Sequence, residues 1–364
     1  MARTVIGTSD ALTIKKYSAS LTREVYAKSF WAQRFMADVG GVNDDPQVPI
    51  WVYTDLEAAE GDQIRFDLVK SLNAPPTAGD NLLMENAERL IFFTDAVNID
   101  QLRHAVDTGG RMTKKRTLHD LRDLARNRLS DYFAALFDEM IFYYLAGGRG
   151  VNTTGMILPT SWSGHAGNSL QNPDSGHWVF PGSVTSESTM TASDVMTLTV
   201  LDKALMVAKT AFPQLQPLNV GGEDIYVCIM HPRQARDLRA NTNTGQWLDI
   251  QKALVTKVGE DSPIFRGGLG MYNGILLYEH PRIPLFNMGA GGSVPGARAL
   301  FLGKQALAMA FGTRGEGLRF SWNEELVDLG NILVVGAGTI MGMKKVRFNN
   351  ADFGVITVST AAAA

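Results

Sequence analysis

Two runs of alternating apolar and polar residues predict a hairpin early in this chain. Between residues 61 and 68 the alternation has period two, which is the pattern of a half-exposed strand. A second run, between residues 89 and 100, places four apolar residues on one face: Ile91, Phe93, Val97 and Ile99. The segment between the runs holds two prolines and a glycine and predicts an irregular tip. A two-stranded hairpin is marginal alone in water, so we expect it to lie on another surface.

The strongest helical pattern runs from Thr113 to Ala146, where apolar residues recur every three or four positions before Gly147 and Gly148. At 1.5 Å per residue such a helix is about 50 Å long, so we expect it to be a structural backbone of the molecule. The stretch from residue 147 to about residue 182 is rich in Gly, Ser, Asn and Pro and shows no period. It predicts a long surface loop or insertion.

The first 48 residues combine a short amphipathic stretch with glycines and prolines, and predict a mobile arm with one helix. We expect Trp31 and Phe35 of this arm to lack a core within their own chain. From residue 191 the chain is mixed. The pattern predicts three helices: one capped by residues 192–194 and running through Ala208, one at 232–238 and one at 247–258. It also predicts strands at 225–230, 274–278, 299–302, 307–311, 318–322, 331–335, 339–346 and 355–358.

Composition places the chain among ordinary globular proteins. Of its 364 residues, 45% are hydrophobic and 20% are charged, which is enough for a sizeable core. The formal charge of −3 gives no overall electrostatic attraction to nucleic acid or to an anionic membrane. The single cysteine, Cys228, lies in an apolar run and predicts a buried thiol. Neither a signal peptide nor a membrane-spanning segment is expected from the pattern.

The segment from Ile332 to Gly342 is similar to a dinucleotide-binding fingerprint but fails as one. Met341 stands where the third glycine is required, and only 22 residues follow Gly342. That length is too short for the helix, the second strand and the ribose-binding acid of such a site. We therefore interpret the glycines as positions that relieve crowding in a strand.

Two further groups of residues were candidates for binding. His165, Asp174 and His177 lie in the Gly-rich loop, but their spacing matches none of the compact zinc patterns. Basic residues between Arg111 and Arg128 are interspersed with aspartates and lack stacking aromatics, which favours a solvated or intersubunit face over a nucleic-acid groove. We accordingly expect no catalytic residue, no cofactor and no metal.

Several stretches resemble one family of proteins in the same order. They are VIGTSDALTIKKYSASLTREVYAKSFWAQRFM (5–36), EGDQIRFDL (60–68), TDAVNIDQLRHAVDTGGRMTKKRTLHDLRDLARNRLSDYFAALFD (94–138) and YVCIMHPRQARDLR (226–239). These stretches, together with the order of elements, resemble major capsid proteins of the HK97-type fold. Within that fold, they resemble the major capsid proteins of podoviruses with large heads and a virion RNA polymerase. The loops at 150–182 and 289–297 have no counterpart in the resemblance.

The resemblance implies an α+β chain with the parts of that fold. They are an N-terminal arm (1–48), an extended β-hairpin E-loop with its flanks (49–105), a P-domain with a long spine helix and the loop insertion (106–190), an α/β A-domain (191–325) and a return to the P-domain sheet (326–364). It also implies contacts between subunits, through six E-loop residues and two residues of the arm: Arg65, Asp67, Lys70, Leu82, Leu83 and Met84, with Trp31 and Phe35.

The implied function is structural. Hexamers and pentamers would close into an icosahedral shell around double-stranded DNA, bound without sequence specificity, with a portal and in some cases scaffold or decoration proteins as partners and no membrane. The protein would belong to the virion capsid and assemble in the host bacterial cytoplasm. One phage of this fold joins Lys to Asn between subunits. Here Lys70 and Asn349 or Asn350 are the candidates, but an unaided lysine is protonated at neutral pH, so the crosslink is not predicted.

Two other functions remain as alternatives. An encapsulin-like compartment of the same fold would enclose a cargo enzyme instead of DNA. A nicotinamide-dependent enzyme would need the fingerprint that fails above, and would be stabilised against heat by its cofactor.

Overall fold

The computed structural model describes residues 11–39, 44–58, 60–70, 72–80, 83–220, 222–241, 270–312 and 319–363. Within these residues there are six α-helices: α1 (Ala11–Lys28), α2 (Asp55–Ala58), α3 (Arg111–Arg116), α4 (Leu121–Ala146), α5 (Leu198–Thr210) and α6 (Pro232–Ala240). The same residues form twenty strands: β1 (Met36–Val39), β2 (Ile50–Tyr53), β3 (Gln63–Val69), β4 (Phe92–Asn98), β5 (Asp100–Asp107), β6 (Gly164–His165), β7 (Asn168–Ser169), β8 (Trp178–Val179), β9 (Leu218–Val220), β10 (Glu223–Met230), β11 (Gly270–Tyr272), β12 (Ile275–Glu279), β13 (Leu285–Met288), β14 (Val294–Leu302), β15 (Leu307–Phe311), β16 (Ser321–Val327), β17 (Ile332–Lys345), β18 (Arg347–Phe348), β19 (Ala351–Asp352) and β20 (Val355–Ala361).

The first large sheet is organised around the 14-residue strand β17. Residues 341–345 of β17 pair with β15, and residues 332–338 pair with β16. Residues 334–341 pair with β5 on the opposite edge, and β2 and β1 continue the sheet beyond β15. The segment that is similar to a dinucleotide fingerprint therefore lies entirely within one long strand and is not a strand-turn-helix unit.

The second large sheet has eight strands, in the order β11-β12-β10-β14-β20-β8, with β13 paired to β14 and β9 to β10. Its central strand β10 is buried on both faces, as a continuous apolar run predicts. Tyr226 and Cys228 point into a core shared with α5 and α6, whereas Val227 and Ile229 point into the core that contains α4. The sheet therefore has helices on both sides.

Helix α4 is the spine helix, and it begins later than the sequence predicted. Asp120 is the N-cap, and its side chain accepts from the backbone N–H groups of Arg122 and Asp123. Thr117 has extended backbone dihedrals and ends α3, so the predicted single helix from Thr113 is wrong. The 26 residues of α4 span about 39 Å, and Gly147 ends the helix in the left-handed conformation at φ 69°.

The N-terminal segment packs on its own subunit, which corrects the prediction of an arm without a core. Trp31 is 0% exposed and Phe35 is 5% exposed, in a cluster with Phe142 of α4. Asp138 of α4 accepts hydrogen bonds from the Ser29 hydroxyl at 2.6 Å and from the backbone N–H of residue 30 at 2.9 Å. The two side chains thus have a core within their own subunit, and their contact with a neighbouring subunit stays a prediction.

Other sequence boundaries need smaller corrections. Helix α5 begins after Thr197 and not at the predicted cap around Asp194. The terminal strands divide between the sheets, because β17 lies in the first sheet and β20 lies between β14 and β8 of the second. The predicted helix at 247–258 and the start of the predicted strand at residue 318 lie outside the described residues. In the described part of the chain, no helix is both long and apolar enough to cross a membrane.

Replacement of Trp31 by alanine is expected to destabilise the subunit itself. Removal of a fully buried indole leaves a cavity beside Phe142 and costs about 3–5 kcal/mol in the free energy of unfolding. Denaturant unfolding of the purified protein measures this loss. Met84→Ala is the control, because the Met84 side chain is 92% exposed and should change the value by less than about 0.5 kcal/mol. Equal stability of Trp31→Ala and the parent protein would contradict the packing described for the N-terminal segment.

Candidate intersubunit surfaces

Strands β3 and β4 form the predicted hairpin, which we call the E-loop hairpin. They pair antiparallel from Gln63 opposite Asn98 to Val69 opposite Phe92. The alternation seen in the sequence assigns the two faces: Ile64 and Phe66 are buried, whereas the side chains between and beyond them are exposed or half-buried. This part of the sequence analysis is confirmed by the structure.

The root of the E-loop hairpin has a core within its own subunit. Phe66 stacks on Tyr53 with ring centroids 5.4 Å apart, and it meets Phe348 edge-on at 6.1 Å. Val97 on the partner strand is 0% exposed in the same cluster. The Asp95 carboxylate pairs with Lys344 and accepts from the backbone N–H of residue 347 at 3.3 Å. The expectation that the hairpin needs an outside surface therefore does not apply to its root.

The distal half of the hairpin is different, because its large apolar side chains face solvent. Leu83 is 69% exposed and Met84 is 92% exposed in a short 3₁₀ turn at the tip. With them are five more exposed apolar residues: Val69, Leu72, Leu90, Ile91 and Phe92. Large apolar side chains that stay exposed on one projecting element make it a candidate contact surface. We call these seven residues the tip cluster.

A local network orders the tip in the isolated subunit. The exposed carboxylate of Glu88 accepts from the backbone N–H of Ala74 at 2.8 Å and from that of Asn73 at 2.9 Å. These two backbone hydrogen bonds lower the pKa of Glu88. The two segments on either side of the tip are thus held together, so the tip cluster is presented on an ordered element.

Of the polar residues that the sequence assigned to the E-loop contacts, Lys70 directly follows Val69 of the tip cluster, and the other two lie nearer the root. Arg65 and Asp67 are exposed on the outer face of β3, and Lys70 is half-buried directly after it. Leu82 lies outside the described residues. Asn349 and Asn350, the crosslinking candidates, form the turn between β18 and β19 with φ values of 52° and 62°.

Sequence reasoning missed a second exposed apolar cluster. It lies at the end of the first sheet, where the backbone N–H of Arg111 in α3 donates to the Asn331 side chain in the β16–β17 turn at 3.2 Å. Its six residues, which we call the sheet-end cluster, are 44–104% exposed: Met112, Leu118, Leu124, Leu326, Val327 and Leu329. The available signal was Met112, the single apolar residue of the short basic helix α3, in which the structure leaves no residue buried.

The histidine candidates serve structural roles. The Nδ1 atom of His177 lies 2.9 Å from the Asp174 carboxylate, and its Nε2 atom lies 2.9 Å from the Pro213 carbonyl oxygen. Because both partners are acceptors, the doubly protonated imidazolium form is the one that satisfies both contacts, and they stabilise it. His165 lies apart from this pair and contacts the Asp100 carbonyl oxygen. Among the described residues no group of three or more His, Cys, Asp or Glu is arranged to hold a metal ion.

Comparison with known proteins identifies the family of this chain. A family model described as phage capsid protein matches residues 5–364. The chain is 27% identical to the major capsid protein of Pseudomonas phage KPP25 over 377 residues, which covers 94% of this chain and 97% of that protein. Among solved structures, the capsid of Ralstonia phage GP4 is 42% identical with a TM-score of 0.81 and covers 100% of this chain and 99% of that one. The capsid asymmetric unit of Cyanophage Pam1 is 24% identical with a TM-score of 0.74, over 92% of this chain and 93% of that one, and supports the fold.

The chain therefore belongs to the phage capsid protein family. Its fold is the HK97-type capsid fold, as the resemblance in the sequence implied. Its function is that of a phage major capsid protein, a structural component of the virion shell, and this prediction is confirmed.

The His177–Asp174 pair predicts a pH-dependent stability. Burial acts to lower the pKa of His177, but the Asp174 carboxylate and the Pro213 carbonyl outweigh it and the pKa is raised. A histidine whose pKa is raised on folding contributes stability that is fully present below the unfolded pKa of about 6.5 and is lost as pH rises through the folded value. Thermal unfolding should therefore shift to lower temperature as pH increases above about 6.5.

Two variants separate this pair from the other histidines. His177→Gln should abolish that part of the pH dependence, while His119→Gln, at an exposed position, should leave it unchanged. Parallel curves of melting temperature against pH for the parent protein and His177→Gln would show that the pair is not charged in the folded state.

Proposed function

We propose that the tip cluster of the E-loop hairpin is the surface through which this capsid protein binds the neighbouring subunit in hexamers and pentamers of an icosahedral shell. The supporting observation is the contrast between the two halves of one hairpin. The root is buried with Tyr53 and Phe348, whereas Leu83 and Met84 at the tip have no apolar partner in the described part of their own chain. Apolar surface on an ordered projection is stabilised when a second copy covers it.

A closed shell needs surfaces that differ, because identical patches that meet face to face give only a twofold dimer. The tip cluster and the sheet-end cluster are separate apolar surfaces on separate elements of the chain. This arrangement supports heterologous contacts, which close into rings. Lys70 flanks the tip cluster, and Arg65 and Asp67 are exposed on the same strand nearer the root. These charges would set the register of the hairpin on the neighbour.

The wider partners belong to the same proposal. The shell encloses double-stranded DNA without sequence specificity, and the formal charge of −3 suits a container that confines DNA without binding it tightly. A portal, and scaffold or decoration proteins where the particle requires them, complete the assembly in the host bacterial cytoplasm. The function is structural throughout and requires no catalytic residue, cofactor or metal. No observation favours the encapsulin-like compartment or the nicotinamide-dependent enzyme.

Truncation of the tip is expected to separate folding from assembly. Replacement of residues 72–87 by a short Gly/Ser turn leaves the β3–β4 pairing and the buried root intact, so thermal unfolding of the subunit should remain native-like. Shells should be absent in electron micrographs. Each large apolar side chain buried at a contact is worth roughly 1.5–3 kcal/mol, and the loss recurs at every subunit.

A matched pair of variants sharpens this test. The double variant Leu83→Gln/Met84→Gln should reduce assembly, whereas Met206→Gln, at a 55% exposed position on α5, should assemble normally. Particles of normal size from the truncated protein would require the tip cluster to be withdrawn as a contact. Aggregation of the truncated chain in an unfolded state would show that the tip belongs to the subunit's own core.

A further inference from the structure

The E-loop hairpin joins the first sheet through a very short connection. Strand β4 ends at Asn98 and pairs with β3, while β5 begins at Asp100 and pairs with β17. Only Ile99 lies between the two sheets on this side, and its backbone N–H donates to the Asp62 carbonyl at 2.9 Å. Residues 98–100, which we call the hinge, therefore connect the hairpin to the first sheet on the β4 side, next to the buried root.

A small hairpin in the loop at 150–182 contacts the hinge directly. Strands β6 and β7 pair at Gly164–Ser169 and His165–Asn168, around a turn in which Ala166 and Gly167 have φ values of 57° and 75°. We call residues 164–169 the brace. The Asn168 side chain, which is 5% exposed, makes two hydrogen bonds to one hinge residue. Its Oδ1 atom accepts from the Asn98 N–H at 3.1 Å, and its Nδ2 atom donates to the Asn98 carbonyl at 2.8 Å.

Asparagine is well suited to this contact. A carboxamide carries one acceptor and one donor side by side, so it satisfies the N–H and C=O of a single residue much as a neighbouring strand does. An aspartate would keep the acceptor but would place a second oxygen against the Asn98 carbonyl. The brace makes a further contact on the other side of Ile99, where His165 Nε2 lies 3.2 Å from the Asp100 carbonyl oxygen and is placed to donate to it.

The brace itself is fixed to the spine helix. The Tyr144 hydroxyl, near the end of α4, donates to the Asn168 carbonyl at 2.8 Å and accepts from the His165 backbone N–H at 2.7 Å. Burial raises the pKa of Tyr144 to about 12, so the hydroxyl keeps its proton at all ordinary pH values. The edge of the Trp162 ring packs against the same tyrosine ring at 5.6 Å.

Two glycines of the first sheet and its flank also approach the hinge closely. A Cβ atom at Gly342 of β17 would lie 1.8 Å from the Asn98 carbonyl oxygen, so only glycine permits this approach. A Cβ atom at Gly312 would lie 2.3 Å from the Cδ1 atom of Ile99. The hinge is therefore in close contact both with two glycines and with the brace.

We propose that the brace fixes the direction in which the E-loop hairpin leaves the subunit, and that Asn168 is the positioning residue that controls the curvature of the shell. The inference rests on the proposed function of the tip cluster, because direction matters only if the tip binds a neighbour. The loop at 150–182 thereby has a role in assembly, although it need not touch another subunit.

The test compares Asn168→Ala with Asn168→Asp and with Gln171→Ala. The matched control, Gln171→Ala, removes a carboxamide in the same loop that bonds Arg347 at 3.2 Å and not the hinge. Hydrogen exchange at the backbone N–H of Asn98 should be at least about fivefold faster in Asn168→Ala, because one net hydrogen bond is lost from the opening equilibrium. Electron micrographs should show a broader distribution of particle diameters. Asn168→Asp should behave like Asn168→Ala if the paired donor and acceptor matter, and like the parent if only volume matters.

Several outcomes would overturn the proposal. Unchanged exchange at Asn98, unchanged particle diameters, or equal effects of Gln171→Ala and Asn168→Ala would each do so. If Asn168→Ala does not fold, His165→Ala gives a second test, since it removes only the Asp100 contact from a half-buried position. Exchange at the hinge is measured in the protein whether or not shells form. Failure of the brace is therefore distinguishable from failure of the tip cluster, which is decided by truncation.

Discussion

Two adjacent carboxylates in the middle of α4 must be satisfied away from water, and much of the subunit is arranged around them. Asp138 receives hydrogen bonds from the segment that follows α1, and burial raises its pKa against the effect of those bonds. Glu139 is 0% exposed and accepts from the backbone N–H groups of Ile157 and Leu158 at 2.8 and 3.1 Å. An unpaired charge in this position would cost several kcal/mol. The N-terminal segment therefore contacts α4 at Asp138, and the Gly-rich loop contacts it at Glu139.

The subunit has a buried interior, and one of its elements, the E-loop hairpin, carries exposed apolar residues at its far end. Helix α4 is buried over eleven consecutive residues, from Leu136 to Ala146, and links the cores beneath both sheets. The E-loop hairpin is buried only at its root, where Phe66 and Val97 lie in a separate core with Tyr53 and Phe348. A shell protein has two requirements, a subunit that folds alone and apolar surface that is covered later. In this structure the root of the E-loop hairpin is part of a folded core, and its tip carries the exposed apolar residues.

Local pattern was sufficient where neighbours in sequence determine the element. The alternation around Arg65 predicted β3 and its faces, and the apolar run at Tyr226–Met230 predicted a buried strand. The start of the spine helix was missed because the periodic pattern begins at Thr113. The helix begins only after Asp120, whose side chain caps its first N–H groups. Trp31 was misassigned because an amphipathic segment does not reveal whether its partner surface belongs to its own chain or to a neighbour.

The remaining features depend on contacts between residues far apart in the chain. Asn168 and Asn98 are 70 positions apart, and nothing in the Gly-rich loop distinguishes Asn168 from the other asparagines there. The sheet-end cluster arises because Met112 and Leu329 are placed at the same end of a sheet by the pairing of β5 with β17. The resemblance to capsid proteins supplied the fold and the function, but it could not supply these contacts in a loop that it did not cover.

The one-residue connection at Ile99 makes the hairpin a lever. The paired part of β3 extends about 20 Å from the hinge at roughly 3.3 Å per residue. A rotation of about 10° at residues 98–100 therefore moves the far end of the strands by about 3.5 Å, close to the width of an atom-to-atom contact. A small change of angle at the hinge is therefore amplified at the far end of the strands. The contacts that we propose for the tip cluster thus depend on how firmly the brace holds residues 98–100.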